Sequence, residues 1–325
     1  MRAIVVVFVF SALTGGSAPA SADRWVAAAA QGDGIAFAYR VHEPENRWGW
    51  AVYHAPDGQN FVQIPTGTRW VLALHVLDDG TLILADVADR AEPVTVHRIL
   101  GEQRTAHTVA GSNGGSDLQL LSFGQRLMFL DATGARMSRD GGRSFRNPVG
   151  YSSSGYGFYA ASASVGPRGV ELLVPDFNTC GSSDRLEFVD HHRVTWGGQV
   201  RTWPVPDTKI GMAMAIGRRG VTYRVDLTDA AQCVLRSSES GAALASVSGP
   251  CNVRTASSAR HTVGLVGDEL FRLRGVNAVR LGTVSAADDP AVGPDSRGRA
   301  LVFDADRTLR RFSSQHTPEV LWSLP

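Results

Sequence analysis

Short apolar segments separated by turns recur along the chain after residue 22. They contain many β-branched or aromatic residues and often alternate apolar with polar side chains, which is the pattern of half-buried β-strands. No later segment combines helical periodicity with helix end caps. The sequence therefore predicts an all-β fold. The clearest strands are Ile35–Arg40, Leu82–Asp86, Leu127–Asp131, Val170–Pro175, Val221–Asp226, Leu270–Arg274 and Ala300–Asp304.

A turn glycine precedes each of these strands: Gly34, Gly80, Gly124, Gly169, Gly220, Gly267 and Gly298. Neighbouring glycines are 44 to 51 residues apart, except for the last pair, which are 31 apart. A period of about 45 residues is typical of a four-stranded β-propeller blade, which buries its faces against its neighbours. We predict a β-propeller of seven four-stranded blades, and the short last interval leaves six blades as the alternative.

The N-terminus has the pattern of a cleavable signal peptide. Arg2 precedes the apolar run Ile4–Leu13, which is too short to span a bilayer, and small residues at Ala20 and Ala22 form a signal-peptidase pattern. We expect cleavage after Ala22. Residues 1–22 are then the leader and 23–325 a single propeller domain, secreted or periplasmic and without a membrane span.

Charge and cysteine usage limit the classes of partner. The net charge is +1 and the arginines are scattered, so no nucleic-acid partner is predicted. Cys233 and Cys251 are predicted to form a disulfide in the exported protein, which leaves Cys180 unpaired. There is no Cys-x-x-Cys motif, and adjacent residues of a strand, such as His191 and His192, point to opposite faces. We therefore predict neither a metal nor a cofactor.

One turn carries a recognisable motif. Met137–Phe145 reads Met-Ser-Arg-Asp-Gly-Gly-Arg-Ser-Phe, in which an aspartate can cap backbone N–H groups and the glycines allow positive φ. A degenerate copy, Pro56–Phe61, lacks the serine and shifts the aspartate. The motif resembles the Asp-box of sialidase-like, BNR-repeat β-propellers, in the positions Ser138, Asp140, Gly142, Ser144 and Phe145.

In that family the Asp-box stabilises the blade periphery and does not define a reaction. The resemblance also suggests an enzyme, a sialidase-like glycoside hydrolase or a lyase acting on glycans. Sialidases require an arginine triad, a Tyr–Glu pair, an aspartic acid/base and an Arg-Ile-Pro motif. The nearest match to the last, Tyr39–His42, lacks the proline. Fold alone does not confer a reaction.

Two sets of residues are candidates for a ligand site on one rim. Tyr151, Tyr156 and Tyr159 offer flat apolar faces and hydroxyls, and Asp176 and Arg185 lie in or beside a long polar loop nearby. An aromatic loop packed over a blade interface explains the tyrosines equally well. Five second strands also run into an aspartate, which indicates either a cation or polyol site or simply loop starts. These aspartates are Asp86, Asp131, Asp176, Asp226 and Asp304.

Five tryptophans are interpreted as blade core rather than as ligand platforms: Trp48, Trp50, Trp70, Trp196 and Trp203. The function predicted from the sequence is a non-catalytic binding or scaffolding module, monomeric, which recognises a protein or glycan through one rim. A glycoside hydrolase or lyase is the alternative. A structural part of an envelope assembly is a third hypothesis, which predicts an apolar patch on a blade's outer edge.

Overall fold

The computed structural model describes residues 26–29, 34–43, 47–66, 69–88, 92–112, 118–131, 134–146, 149, 162–176, 188–204, 213–227, 232–237, 240–247, 251, 253–257, 260–285, 290–295, 297–304, 307–314 and 316–323. The chain divides into two compact units. Residues 1–22, the predicted signal peptide, lie outside the described residues. Within the described ranges no helix is long and apolar enough to cross a membrane.

The first unit contains three antiparallel sheets, each built from strands that are consecutive in the chain. We number them blades 1 to 3. Blade 1 is β1 (Val26–Ala29), β2 (Ile35–Glu43), β3 (Arg47–Ala55) and β4 (Val62–Ile64); blade 2 is β5 (Trp70–Val76), β6 (Leu82–Val87), β7 (Thr95–Leu100) and β8 (Gln103–Thr108); blade 3 is β9 (Gln119–Phe123), β10 (Arg126–Asp131) and β11 (Gly134–Ser138).

The second unit contains four further sheets of the same order, blades 4 to 7. Blade 4 is β12 (Ser162–Gly166), β13 (Gly169–Asp176), β14 (Phe188–Thr195) and β15 (Val200–Pro204); blade 5 is β16 (Ala213–Ile216), β17 (Thr222–Leu227), β18 (Cys233–Ser237) and β19 (Ala243–Val247); blade 6 is β20 (Val253–Ser257), β21 (Thr262–Val266), β22 (Glu269–Arg274) and β23 (Asn277–Thr283); blade 7 is β24 (Ala291–Pro294), β25 (Ala300–Phe303), β26 (Thr308–Ser313) and β27 (His316–Ser323). In the described residues, the 3-10 turn Arg218–Gly220 precedes β17.

Seven successive four-stranded meanders, one of them with three strands in the described residues, are the blades of a β-propeller. The all-β fold and the seven blades are confirmed, and the six-bladed alternative is wrong. The short interval before Gly298 arises because Gly267 lies between β21 and β22, the second and third strands of blade 6. The strand predicted after Gly267, Leu270–Arg274, is therefore the third strand of blade 6 and lies within β22.

The inner strands are apolar on both faces because each blade packs against a neighbour on either side. All six residues of β6 are buried. Leu82 and Leu84 join a core with blade 1, whereas Ile83 and Ala85 join a different core with blade 3. The strand period of two residues divides a continuous apolar run between two interfaces in this way.

A buried histidine makes the first unit sensitive to acid. His54 on β3 is 3% exposed, and its imidazole is hydrogen-bonded to the backbone of Gly80 in blade 2. Burial lowers the pKa of His54 from its ordinary value of 6.5 to about 4, although the Gly80 hydrogen bond opposes the shift. The unfolded chain therefore binds more protons than the folded chain between these two pH values.

We accordingly expect stability to fall as the pH drops from 6.5 towards 4, by on the order of 2 to 3 kcal/mol from this histidine. The check is urea denaturation at a series of pH values. His54→Gln should flatten the slope, with a shallower slope remaining because burial also lowers the pKa of His192. An unchanged slope in the variant would assign the acid sensitivity to other groups.

The predicted disulfide is confirmed. Cys233 on β18 is bonded to Cys251, which precedes the first strand of blade 6 and lies 18 residues along the chain. A loop of this size restricts the unfolded chain by about 3 kcal/mol. We expect Cys233→Ser/Cys251→Ser to lower the free energy of unfolding by about that amount. Cys180→Ser is the control, and a comparable loss in the control would mean that Cys180 has a stabilising role of its own.

Candidate functional site

The predicted rim site falls mostly outside the part of the chain that the structure describes. Tyr151, Tyr156, Tyr159 and Arg185 all lie outside it. Asp176 is the last residue of β13, and only its backbone is described. The proximity of these five residues therefore stays a prediction.

Four of the five aspartates at the ends of the second strands are bound by basic side chains of their own unit. Oδ1 of the buried Asp86 accepts a hydrogen bond from Nε of Arg69 at 2.6 Å, and Oδ2 lies 2.9 Å from Nε2 of His97. Asp226 in blade 5 and Asp304 in blade 7 are bound by Arg236 and Arg310, respectively, from the third strands.

The fourth such aspartate forms the most buried ion pair in the described residues. Oδ2 of Asp131 lies 2.8 Å from Nη1 of Arg136, and the two side chains are 2% and 3% exposed. Nη2 of Arg136 donates a second hydrogen bond to the carbonyl of Gly111. These four carboxylates have arginine partners, which supports a structural role. No group of three or more potential metal ligands occurs among the described residues.

The turn after β11 has the hydrogen bonds that its sequence predicts. Oδ1 of Asp140 accepts from the backbone N–H groups of Arg143 and Ser144, each at 3.0 Å, and Oδ2 accepts from the Ser144 hydroxyl at 2.6 Å. Oγ of Ser138 accepts from the N–H of Gly142 at 2.8 Å. Gly142 has φ +86°, and the Phe145 ring packs edge-on against Phe129.

These contacts favour the ionised carboxylate. Burial of the Asp140 carboxyl opposes ionisation, but the Ser144 and Ser138 hydroxyls, together with the N–H groups of Ser144 and Arg143, lower its pKa to about 2. The return segment then pairs with β11, since Ala135 and Val149 exchange backbone hydrogen bonds. The turn therefore fixes the outer end of blade 3.

The degenerate copy has the same arrangement, shortened by one residue. Oδ1 of Asp57 accepts from the N–H groups of Gln59 and Asn60, and Phe61 packs on Phe37 with ring centroids 5.5 Å apart. The N–H of Asn60 and then that of Gln59 are the main groups that lower the pKa of Asp57 to about 2. This turn joins β3 to β4, the corresponding position in blade 1.

Sequence interpretation missed a cluster of charged and aromatic side chains on blade 4. Glu171 on β13 is buried, and its Oε2 lies 2.8 Å from Nε2 of His191 on β14. Its Oε1 accepts a hydrogen bond from Nε of Arg193 at 2.5 Å. The His191 and Trp203 ring centroids are 4.3 Å apart, and the Arg193 guanidinium carbon lies 5.4 Å from the Trp203 ring centroid.

The strand register brings a second arginine to this face. Arg193 on β14 is directly opposite Arg201 on β15, and His191 is opposite Trp203. Arg201 is exposed, and Trp203, which was predicted to lie in the core, is only partly buried. His192 contacts Thr202 instead, which confirms that the adjacent histidines point to opposite faces. This face, which we call the blade 4 arginine face, comprises Glu171, His191, Arg193, Arg201 and Trp203.

Exposed apolar side chains are concentrated on the outermost hairpins. Val279 on β23 is 39% exposed, and the residue before that strand, Val276, is 51% exposed. In the described chain, every large apolar residue that is exposed lies on a fourth strand or at the turn that leads into one: Val62, Leu100, Val276, Val279 and Val320.

Comparisons with known proteins identify no family. No protein-family model matches the sequence, and no curated protein matches it. The chain is similar in structure to a streptogramin B lyase, at 12% identity and a TM-score of 0.47 over 92% of this chain and 94% of that one. It is also similar to the WD40 β-propeller domain of Doa1, at 12% identity and a TM-score of 0.48 over 96% and 97%, respectively. At these scores neither likeness carries an argument, and the fold class follows from the order of the sheets.

Proposed function

We propose that this chain is an exported, monomeric β-propeller that binds a protein partner through the outer ends of its blades and catalyses no reaction. The observation that carries the proposal is the position of the exposed apolar side chains. All five lie at third-to-fourth-strand hairpins of the described blades, where the last strand also presents an edge. Apolar residues on strand edges favour association with another chain.

Two further features support parts of the proposal. The disulfide between Cys233 and Cys251 suits an oxidising compartment, in keeping with the predicted cleavage after Ala22. The Ser138–Phe145 turn, with its capped aspartate, suits an Asp-box that stabilises the outer part of a blade. Sequencing the N-terminus of the exported protein tests the first of these, since it should begin at Asp23.

Site-directed photo-crosslinking tests the proposed surface. A benzoylphenylalanine residue at Val279 is expected to give one adduct of defined mass in cells that make the protein, and the additional change Val276→Ser should weaken it. The matched control is Thr105 on β8, an exposed polar position of another outermost strand. Equal adducts at both positions, or none at Val279, would contradict binding through the apolar hairpins.

Calorimetry against sialylated and neutral glycans tests two statements: that the protein catalyses no reaction, and that the predicted rim binds a ligand. A sustained heat signal proportional to protein concentration would establish turnover and favour a sialidase-like hydrolase or a lyase. Saturable heat that is lost in Tyr156→Ala would instead identify a glycan ligand at the rim predicted from Tyr151, Tyr156, Tyr159, Asp176 and Arg185. The proposal expects no turnover.

A further inference from the structure

The blade 4 arginine face places two arginines beside a single carboxylate. Arg193 and Arg201 occupy directly opposite positions on β14 and β15. Like charges in such cross-strand positions destabilise a sheet unless an anion lies between them. Glu171 supplies one carboxylate, but that carboxylate is shared by Arg193 and His191 and has no contact with Arg201 among the described residues.

Blade 5 shows how the same pairing is balanced within the protein. Arg224 and Arg236 are also directly opposite each other, and Oδ2 of Asp226 lies 3.4 Å and 3.0 Å from their Nε atoms. There one carboxylate serves both arginines. On blade 4 the corresponding place beside Arg201 has no carboxylate from the part of the chain that the structure describes.

Arg193 is held in position with its terminal nitrogens available. Its Nε donates to Glu171, and its guanidinium carbon lies 5.4 Å from the Trp203 ring centroid. No described residue is hydrogen-bonded to Nη1 or Nη2, and the side chain is 28% exposed. A guanidinium that is already oriented loses little freedom when it binds a carboxylate.

We infer that this face binds an acidic, extended segment of a partner protein. The carboxylate of an aspartate or glutamate would accept hydrogen bonds from Arg193 and Arg201, and the partly buried Trp203 would pack against the adjoining apolar part of the segment. β15 is the edge strand of blade 4, so a segment lying along it can also pair with its backbone. The inference rests on the proposed binding of a protein, and it adds the charge of the partner.

Titration of the whole mature chain with two short acetylated peptides, tetraglutamate and tetraglutamine, tests the inference at low and moderate salt. Tetraglutamate should bind, more weakly as salt is added, and tetraglutamine should not. Arg201→Gln should weaken binding of tetraglutamate by about tenfold or more, the effect of losing one charged hydrogen bond. The exposed Arg280, which is paired with Glu269, provides the control variant Arg280→Gln and should bind as the unmodified chain does.

Equal affinity in Arg201→Gln, or no binding of tetraglutamate at low salt, would overturn the inference. Inorganic sulfate forms a third arm of the titration. If sulfate binds to the same arginines as tightly as tetraglutamate, the face is a simple anion site and the peptide assignment is wrong. The crosslink at Val279 is independent of these residues, so its persistence would separate failure here from failure of the proposed protein binding.

Discussion

Replacing Arg136 by alanine is expected to lower the free energy of unfolding by about 3 to 5 kcal/mol. Asp131 and Arg136 are 2% and 3% exposed, so the variant would leave a buried carboxylate without its principal cation. The change also removes the hydrogen bond to Gly111 and the packing of the guanidinium near the Phe129 ring. Equilibrium denaturation in urea, with the unmodified protein measured in parallel, gives the difference directly.

The control for this prediction is an arginine in an ion pair of much greater exposure. Arg280 is paired with Glu269, and its side chain is 59% exposed, so Arg280→Ala should cost about 1 kcal/mol or less. In Arg136→Met/Asp131→Asn no charge is left buried, and most of the stability should return. Similar losses in Arg136→Ala and Arg280→Ala would contradict a stabilising role for the buried pair.

The fold could be predicted from the sequence because its main signal is local. A glycine at positive φ marks a tight turn, as at Gly80 with φ +79°, and the apolar strand beside it follows directly in the chain. The local nature of this signal also explains why Leu270–Arg274 was assigned to the second strand of its blade instead of the third. Gly267 has φ +53° in a turn between different strands of its blade, and a turn glycine does not reveal which two strands it joins.

The candidate functional surfaces were harder to predict because they depend on contacts between distant residues. The Asp140 turn was found because the hydrogen bonds of its Ser138 and Asp140 side chains lie within seven residues of sequence. The blade 4 arginine face instead requires the register of three strands, with Glu171 20 and 22 residues away from its partners. A signal was present in the two-residue spacing of His191 with Arg193 and of Arg201 with Trp203, which places each pair on one strand face.

The arginines also show that contacts between distant residues are hard to predict from sequence. Their scattering along the sequence gave no indication of a cluster, yet in the structure many of them bind a carboxylate of their own blade. Arg236 and Arg310 do so from the third strand of a blade, where the aspartate ends the second strand. Only the pairing of neighbouring strands shows that these charges hold a blade together, whereas Arg201 has no carboxylate partner among the described residues.

Substituting alanine for Gly169 is expected to have the largest effect on stability, a loss of about 4 kcal/mol or more. Gly169 begins β13 with φ +154°, and a Cβ atom there would lie 2.1 Å from the Val194 carbonyl oxygen and 2.7 Å from Cα of Thr195. These are backbone atoms of β14, so no side-chain rotation relieves the contact and the two strands must separate. Soluble yield and the urea midpoint measure the effect.

Gly275 provides the matched control because it separates backbone strain from the steric contact. It has φ +57° in the β22–β23 turn, with no atom within 4 Å of an added Cβ, so Gly275→Ala should cost only about 1 to 2 kcal/mol. Equal losses at the two sites would show that positive φ alone determines the cost. A larger loss in Gly169→Ala than in Gly275→Ala would mean that the close approach of β13 and β14 requires glycine at position 169. The same approach sets the strand register that places Glu171 beside Arg193.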